Sequence, residues 1–226
     1  MTEATATPEP AGYPVSYDVQ KQTEGRHRLT VAFRIILAIP QWLLVGGPGV
    51  GFGGGLGWGR RRFGLLTFGG GSGVIGLAAG VCAIVSWFAI VFTGNQPRGL
   101  WDFTNFFMRW RGNAVAYMAL LRDEYPPFGA GDGSYPVSFS AGEFPETRHR
   151  WSVGLRLIYA IPQIIVVLLV GIAWAITVII GWFAILFTGR YPEGLYTFGA
   201  GYMRWSLRVQ AYLLLMRDEY PPYSFD

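Results

Sequence analysis

Cysteine occurs once, as Cys82, so no disulfide can close within the chain and a cysteine-built metal centre is excluded. Histidine occurs twice, as His27 and His149, one in each half of the chain, which leaves little for zinc or general-base chemistry. Lysine is almost missing: Lys21 stands alone beside 17 arginines. Charged residues of both signs make up only 14% of the 226 residues, against about 25% in soluble domains. That deficit excludes an ordinary water-soluble globule. Disorder is excluded too, because 51% of the residues are hydrophobic and mean hydropathy is +0.31. Neither a metal nor another cofactor is expected.

The charge that is present is basic, net +4, and arginine's forked, weakly hydrated guanidinium suits phosphate. Long apolar runs point to anionic lipid head groups as the source of that phosphate, and not to nucleic acid. Residues 1–12 are polar, with neither a basic n-region nor an apolar h-region. They read as a disordered tail and not as a cleavable signal peptide.

The remainder is a duplication. Tyr13-Pro14-Val15-Ser16 recurs at Tyr135-Pro136-Val137-Ser138, Arg26-His27-Arg28 at Arg148-His149-Arg150, and Ala38-Ile39-Pro40-Gln41 at Ala160-Ile161-Pro162-Gln163, each at an offset of 122. Further on the offset becomes 95, as Trp87-Phe88-Ala89-Ile90 matches Trp182-Phe183-Ala184-Ile185. Met108-Arg109-Trp110 matches Met203-Arg204-Trp205 at the same offset, and Arg122 to Pro127 matches Arg217 to Pro222. The first copy therefore carries 27 extra residues between Gln41 and Trp87. They coincide with the stretch 46–73, half of which is glycine, a density that cannot hold a helix. The domain organisation expected is a first repeat over 13–128 with its insertion at 46–73, a linker over 129–134 and a second repeat over 135–226.

Insertions survive best at surface turns, which marks a turn in the second copy near Val167 to Gly171. The uncharged run from Leu157 to Phe187 is too long for one upright span, about 46 Å as a straight helix against about 30 Å of hydrocarbon. The expectation is an all-α membrane protein of two tandem repeats, each a transmembrane helical hairpin followed by an amphipathic interfacial helix. The hairpins are Leu29–Val45 with Val74–Phe92, and Ser152–Leu169 with Ile172–Phe187. A shallow, re-entrant hairpin and one long tilted helix over Leu157–Phe187 are the alternatives. Of 18 basic residues, 15 lie outside the hairpin tips, which places the chain in the cell membrane as a multi-pass protein with cytoplasmic termini.

The helices over 99–121 and 194–216 are aromatic and apolar but carry Asp102, Asn105, Arg109 and Asn113 on one face, and Arg204 and Arg208 in the second copy. Such a stripe suits a membrane surface, with Trp101, Trp110, Tyr117, Tyr196, Tyr202, Trp205 and Tyr212 at head-group depth. A third spanning helix in each repeat is the alternative. Ahead of each hairpin, Tyr13-Val15-Tyr17-Val19 and Tyr135-Val137-Phe139 alternate with polar residues. They predict short strands at the cytoplasmic face, pairing with each other or with the Pro-Pro segments.

The candidate site residues serve lipid head-group binding or intramembrane pairing: Arg34, Arg156, Arg109, Arg204, Arg208, Asp123, Glu124, Asp218 and Glu219. Arg34 and Arg156 read first as snorkelling anchors at the membrane interface. The competing expectation is that they pair with the carboxylates of Arg122-Asp123-Glu124 and Arg217-Asp218-Glu219, because a charge near hydrocarbon is costly alone. Gln41 and Gln163, seven residues on, share a helix face with those arginines and need amide partners. The Arg-His-Arg triplets are expected to face solvent or phosphate. The Gly-rich tip offers Phe52, Trp58, Arg60, Arg61, Arg62 and Phe63 as a partner contact. No catalytic residue is expected, and the carboxylate pairs read as helix ends closed by proline.

Arg-Leu-Ile-Tyr-Ala-Ile-Pro-Gln (156–163), Trp182 to Leu195 and Arg-Asp-Glu-Tyr-Pro-Pro-Tyr-Ser (217–224) together resemble a bacterial membrane family, domain of unknown function 4389. The first copy shares the pattern over Arg34 to Gln41, Trp87 to Leu100 and Arg122 to Phe128. The resemblance implies an integral membrane protein and implies no activity. The role expected is a non-enzymatic accessory or scaffold component that associates with a larger membrane complex, a homo-oligomer or anionic lipid. The competing expectation is a small transporter or channel subunit acting as an oligomer.

Overall fold

The structure, a computed structural model, describes residues 13–48 and 73–226. The expected disordered tail, most of the Gly-rich insertion and the contact residues Phe52, Trp58, Arg60–Arg62 and Phe63 lie outside the described residues.

Within them the chain is mostly helical. It runs as strand β1 (Ser16–Val19), short helix α1 (Arg28–Ala32), α2 (Arg34–Val45), α3 (Val74–Thr93), α4 (Arg98–Met118), strand β2 (Val137–Ser140), short helix α5 (Arg150–Gly154), α6 (Arg156–Thr188) and α7 (Glu193–Leu213). The two strands form where the alternation predicts them, and of the two expected pairings they take the one with each other. The register sets Tyr17 against Phe139, antiparallel. Those two positions differ by the repeat offset of 122. The ladder thus pairs a residue with its own repeat mate, which puts a local two-fold axis through the sheet.

The second hairpin does not form. α6 runs unbroken for 33 residues, straight through Pro162 and the expected turn near 167–171. The physical reason is that nothing in Val167 to Gly171 opens the backbone ladder. The insertion of the first copy marks where a helix can be interrupted, not where it must turn. The first copy carries the same helix in two pieces. Trp87 of α3 donates to the Val153 carbonyl of α5 at 3.0 Å, and Trp182 of α6 donates to the Val31 carbonyl of α1 at 3.0 Å. Gln41 of α2 and Gln163 of α6 likewise meet Trp110 and Trp205. So α2 and α3 stand where the two halves of α6 stand, end to end. Gly73 lies against the Leu44 carbonyl and the Gly46 amide at the joint.

The two helices expected at the membrane surface are instead the centre of the molecule. Trp101, Trp110, Tyr117, Tyr196, Tyr202, Trp205 and Tyr212, expected at head-group depth, are all buried. The reason is packing. α4 runs antiparallel to α2, with Tyr117 beside Arg34 and Trp110 beside Gln41. α4 and α7 also run antiparallel to each other, with Trp101 donating to the Met216 carbonyl at 3.3 Å and Arg111 to Gln210 at 2.7 Å. On the far side of α4, about half a turn round from Trp110, Gly112 lies against Tyr17 and Phe139 of the sheet. On α7, Arg204 reaches the carbonyl of Tyr17 in β1 and Arg208 that of Val15 just before the strand.

Three layers result. The strand pair covers one flank of α4 and α7, and the long helices α2–α3 and α6 cover the other. The outer faces of those long helices are apolar and, among the described residues, uncovered. Ile35, Ile36, Trp42, Val81, Phe88, Ile158, Leu169, Ile172, Ile180 and Phe187 are all exposed. Only 22% of the apolar stretch of α3 or of α6 is buried, whereas the core helix of a soluble protein is mostly buried.

Candidate functional site

The sequence places one Arg-Asp-Glu at the end of α4 and another at the end of α7, each followed by Tyr-Pro-Pro, which cannot continue a helix. Both helices end with a leucine in the left-handed region, Leu120 at φ 62° and Leu215 at φ 61°, a conformation that favours glycine. The amides of Leu121 and Met216 return to the carbonyls of Ala116 and Ala211, closing the C-terminal turn. That turn swings the next aspartate inward.

Asp123 then meets Arg34 at 2.6 Å and Arg26 at 3.0 Å, and accepts the His27 amide at 3.0 Å. Asp218 repeats the arrangement with Arg156 at 2.5 Å, Arg148 at 3.3 Å and the His149 amide at 3.1 Å. Each guanidinium has further acceptors. Arg34 and Arg156 donate to the carbonyls of Tyr117 and Tyr212, both at 3.0 Å, and each lies 4.5 Å from the centre of the same tyrosine's ring. Arg26 and Arg148 donate to the carbonyls of the strained leucines, Leu120 and Leu215, both at 2.5 Å. Burial pushes the Arg26 and Arg148 guanidiniums down to about 10, against the pull of their aspartates.

One helical layer further in, Gln41 accepts from the Trp110 indole at 2.7 Å and donates to the Pro126 carbonyl at 3.1 Å. Gln163 does the same with Trp205 at 3.2 Å and Pro221 at 2.5 Å. Each Arg-Asp-Gln-Trp array ties the segment after a central helix back to the long helix beside it.

The neighbouring carboxylates part company. Glu124 turns outward to Arg122 at 2.6 Å, and Glu219 is exposed. Asp123 and Glu124 thus take different arginine partners. Arg204 and Arg208 grip the sheet, and Arg109 is exposed on that same flank, lining a cavity of about 280 Å³ with Asp18, Gln20 and Asn113. Within the Arg-His-Arg triplets the arginines divide, correcting the expectation that they all face outward. Arg26 and Arg148 are 5% and 8% exposed, while Arg28 and Arg150 remain on the surface.

One buried arginine escapes the repeat pattern. Arg111 is buried and donates to Gln210, to the Val45 carbonyl at 2.6 Å and to the Gly47 carbonyl at 2.8 Å. It caps the broken end of α2, where carbonyls point out of the helix and the dipole is negative. Its repeat mate is Ser206, in the copy whose corresponding long helix, α6, is unbroken. The signal was in the sequence: an arginine unmatched in the other copy, in the copy that carries the insertion. Among the described residues no group of three or more His, Cys, Asp or Glu side chains is placed to hold a metal ion.

These observations define a duplicated helical protein with two buried arginine–aspartate centres and an uncovered apolar layer. The chain belongs to a family described as a domain of unknown function, DUF4389, which matches residues 58–130 and again 150–224. The first match begins after Arg34 to Gln41, although those residues repeat 156–163. No curated protein and no solved structure matches the chain.

Proposed function

We propose that the chain is a non-enzymatic membrane-associated protein, an accessory or scaffold component that seats its apolar layer in lipid and presents its sheet flank to a larger complex. The observation that carries this reading is the division of labour among its polar groups. The buried charges are consumed in holding the fold together: Asp123 and Asp218 are each tied by two arginines and a backbone amide. The outward apolar side chains of α2, α3 and α6 have no such partners among the described residues, and exposed patches of that extent mark interaction with membrane or protein. The two long helices are apolar enough for lipid.

The basic residues favour the cytoplasm for the sheet flank. Strand β1, the linker and Arg109, Arg204 and Arg208 all lie away from the apolar layer, and the positive-inside bias assigns such a side to the cytoplasm. The account predicts that the native protein sediments with membranes, resists high-salt and alkaline washing, and leaves with mild detergent together with anionic lipid or a stoichiometric partner identified by mass spectrometry. A monodisperse chain in the soluble fraction of washed cells, without detergent, overturns it.

A further inference from the structure

The long helices are apolar enough to cross a membrane, yet the layer order argues against crossing. α4 lies antiparallel to α2 and to α7, so the helices lie across the local two-fold axis that runs through the sheet. The two long elements, α2–α3 and α6, are therefore side members of one layer, running in opposite directions on the same flank of the molecule. Upright placement of either one carries the sheet flank sideways into hydrocarbon at mid-depth. That flank bears Asp18 and Arg109 beside a polar cavity, and Lys21 paired with Glu193, and charges there are costly. α6 is also about 50 Å long, well beyond a hydrocarbon core of about 30 Å.

Resting on this membrane reading, we propose that the chain lies in a single leaflet, with α2–α3 and α6 parallel to the bilayer plane and the surface arginines at the layer's two ends binding phosphates of anionic phospholipid. The ends have the chemistry for it. Arg150 sits at the C-terminal end of α3, donating to the Thr93 carbonyl at 2.9 Å, and its repeat mate Arg28 lies beside Gly189 at the end of α6. Both are exposed, and each is next to outward apolar side chains, Leu29 at 78% and Trp151 at 88% exposure. Arginine beside an exposed indole and aliphatic chains is the composition of a membrane interface. Arg98 and Arg190, at the same two ends, are exposed as well.

The test uses the full chain with Cys82→Ala and one cysteine at a time from Ile158→Cys, Leu169→Cys or Ile180→Cys, all outward positions on one face of α6. Each carries a fluorophore and is mixed with vesicles of phosphatidylcholine with or without one third phosphatidylglycerol, quenched by lipids bearing spin labels at graded depths. The unmodified chain is bound to the same vesicles as a check on the variants. The proposal expects all three sites at one depth, and binding that falls about fivefold for each of Arg28→Gln and Arg150→Gln on anionic vesicles. A deep Leu169→Cys flanked by two shallow sites overturns the in-plane placement while leaving membrane association standing. A common depth with equal binding to the phosphatidylcholine vesicles overturns the assignment to anionic phospholipid. No vesicle binding by any form, the unmodified chain included, overturns the placement and the membrane reading together.

Discussion

Arg34 and Asp123 are separated by 89 residues in sequence and by 2.6 Å in the fold, and both are buried. Their repeat mates Arg156 and Asp218 close at 2.5 Å over a separation of 62. The shorter separation reflects the missing insertion, yet the contact is the same. A geometry reached twice by different lengths of chain is a requirement of the fold.

Removing the counter-charge should therefore cost more than removing a surface ion pair. Asp123→Asn leaves Arg26 and Arg34 buried together without an anion, and breaking a buried pair costs about 3–5 kcal/mol. Asp218→Asn should cost less, because the Asp218 side chain is 15% exposed against 4% for Asp123, and water can screen the arginines it leaves. Chemical unfolding in detergent checks both, with the Asp123 variant expected to unfold at the lower denaturant concentration. Equal, small shifts would show that the centres contribute little.

The broken helix can be mended on paper. Replacing residues 46–73 with a single leucine joins α2 to α3 in a helix of the same 33 residues as α6. That fusion ties up the Val45 carbonyl and removes Gly47, so Arg111 loses two acceptors while staying buried. Fusion alone should destabilise by about 1–3 kcal/mol for the groups left unsatisfied. Fusion with Arg111→Ser, which copies Ser206 of the second repeat, should recover most of that loss. Thermal unfolding of the four combinations measures the coupling; additive effects would show that Arg111 does not act through the break.

Desolvated phenols give one arm of the pH dependence, with Tyr17, Tyr191 and Tyr202 among them. Burial pushes the Tyr191 and Tyr202 hydroxyls up to about 12 from an ordinary value of 10.0. Between these values the folded state keeps protons that the unfolded state has released. Their contribution is complete below pH 10 and is lost as pH rises toward 12. Arg26, Arg111 and Arg148, drawn down to about 10 from 12.5 by burial, act in the opposite sense over the same range. Overall stability is thus a poor reporter, and tyrosinate absorbance a direct one. The folded chain should show a late-ionising fraction absent from the denatured chain, and Tyr202→Phe should reduce it. Identical titration curves for folded and denatured chain would contradict the burial of both rings.

Much of this was legible in the residues. The repeat, both strands and the existence of the helices expected over 99–121 and 194–216 follow from offsets, alternation and apolar periodicity, although both helices end three residues earlier, at Met118 and Leu213. The pairing of Arg34 and Arg156 with the carboxylates after those helices follows from the cost of a lone charge. Choosing Asp123 over Glu124 did not, because that choice depends on Leu120 adopting a positive φ without being glycine, and no residue type announces it. The layer order was hidden for a different reason. Aromatic residues suit head-group depth and a protein core equally well, so Trp101 or Tyr212 alone cannot say which surrounds it. The Gly-rich stretch implied a turn, and only the unbroken ladder of α6 shows that it interrupts a rod.

The central claim is a layer of two antiparallel rods lying flat beneath a polar body. Polarised infrared absorption of the unmodified chain in stacked, aligned bilayers tests it most directly, because the helical amide transition follows the helix axis. The account predicts stronger absorption for light polarised within the bilayer plane. Stronger absorption along the bilayer normal would contradict it.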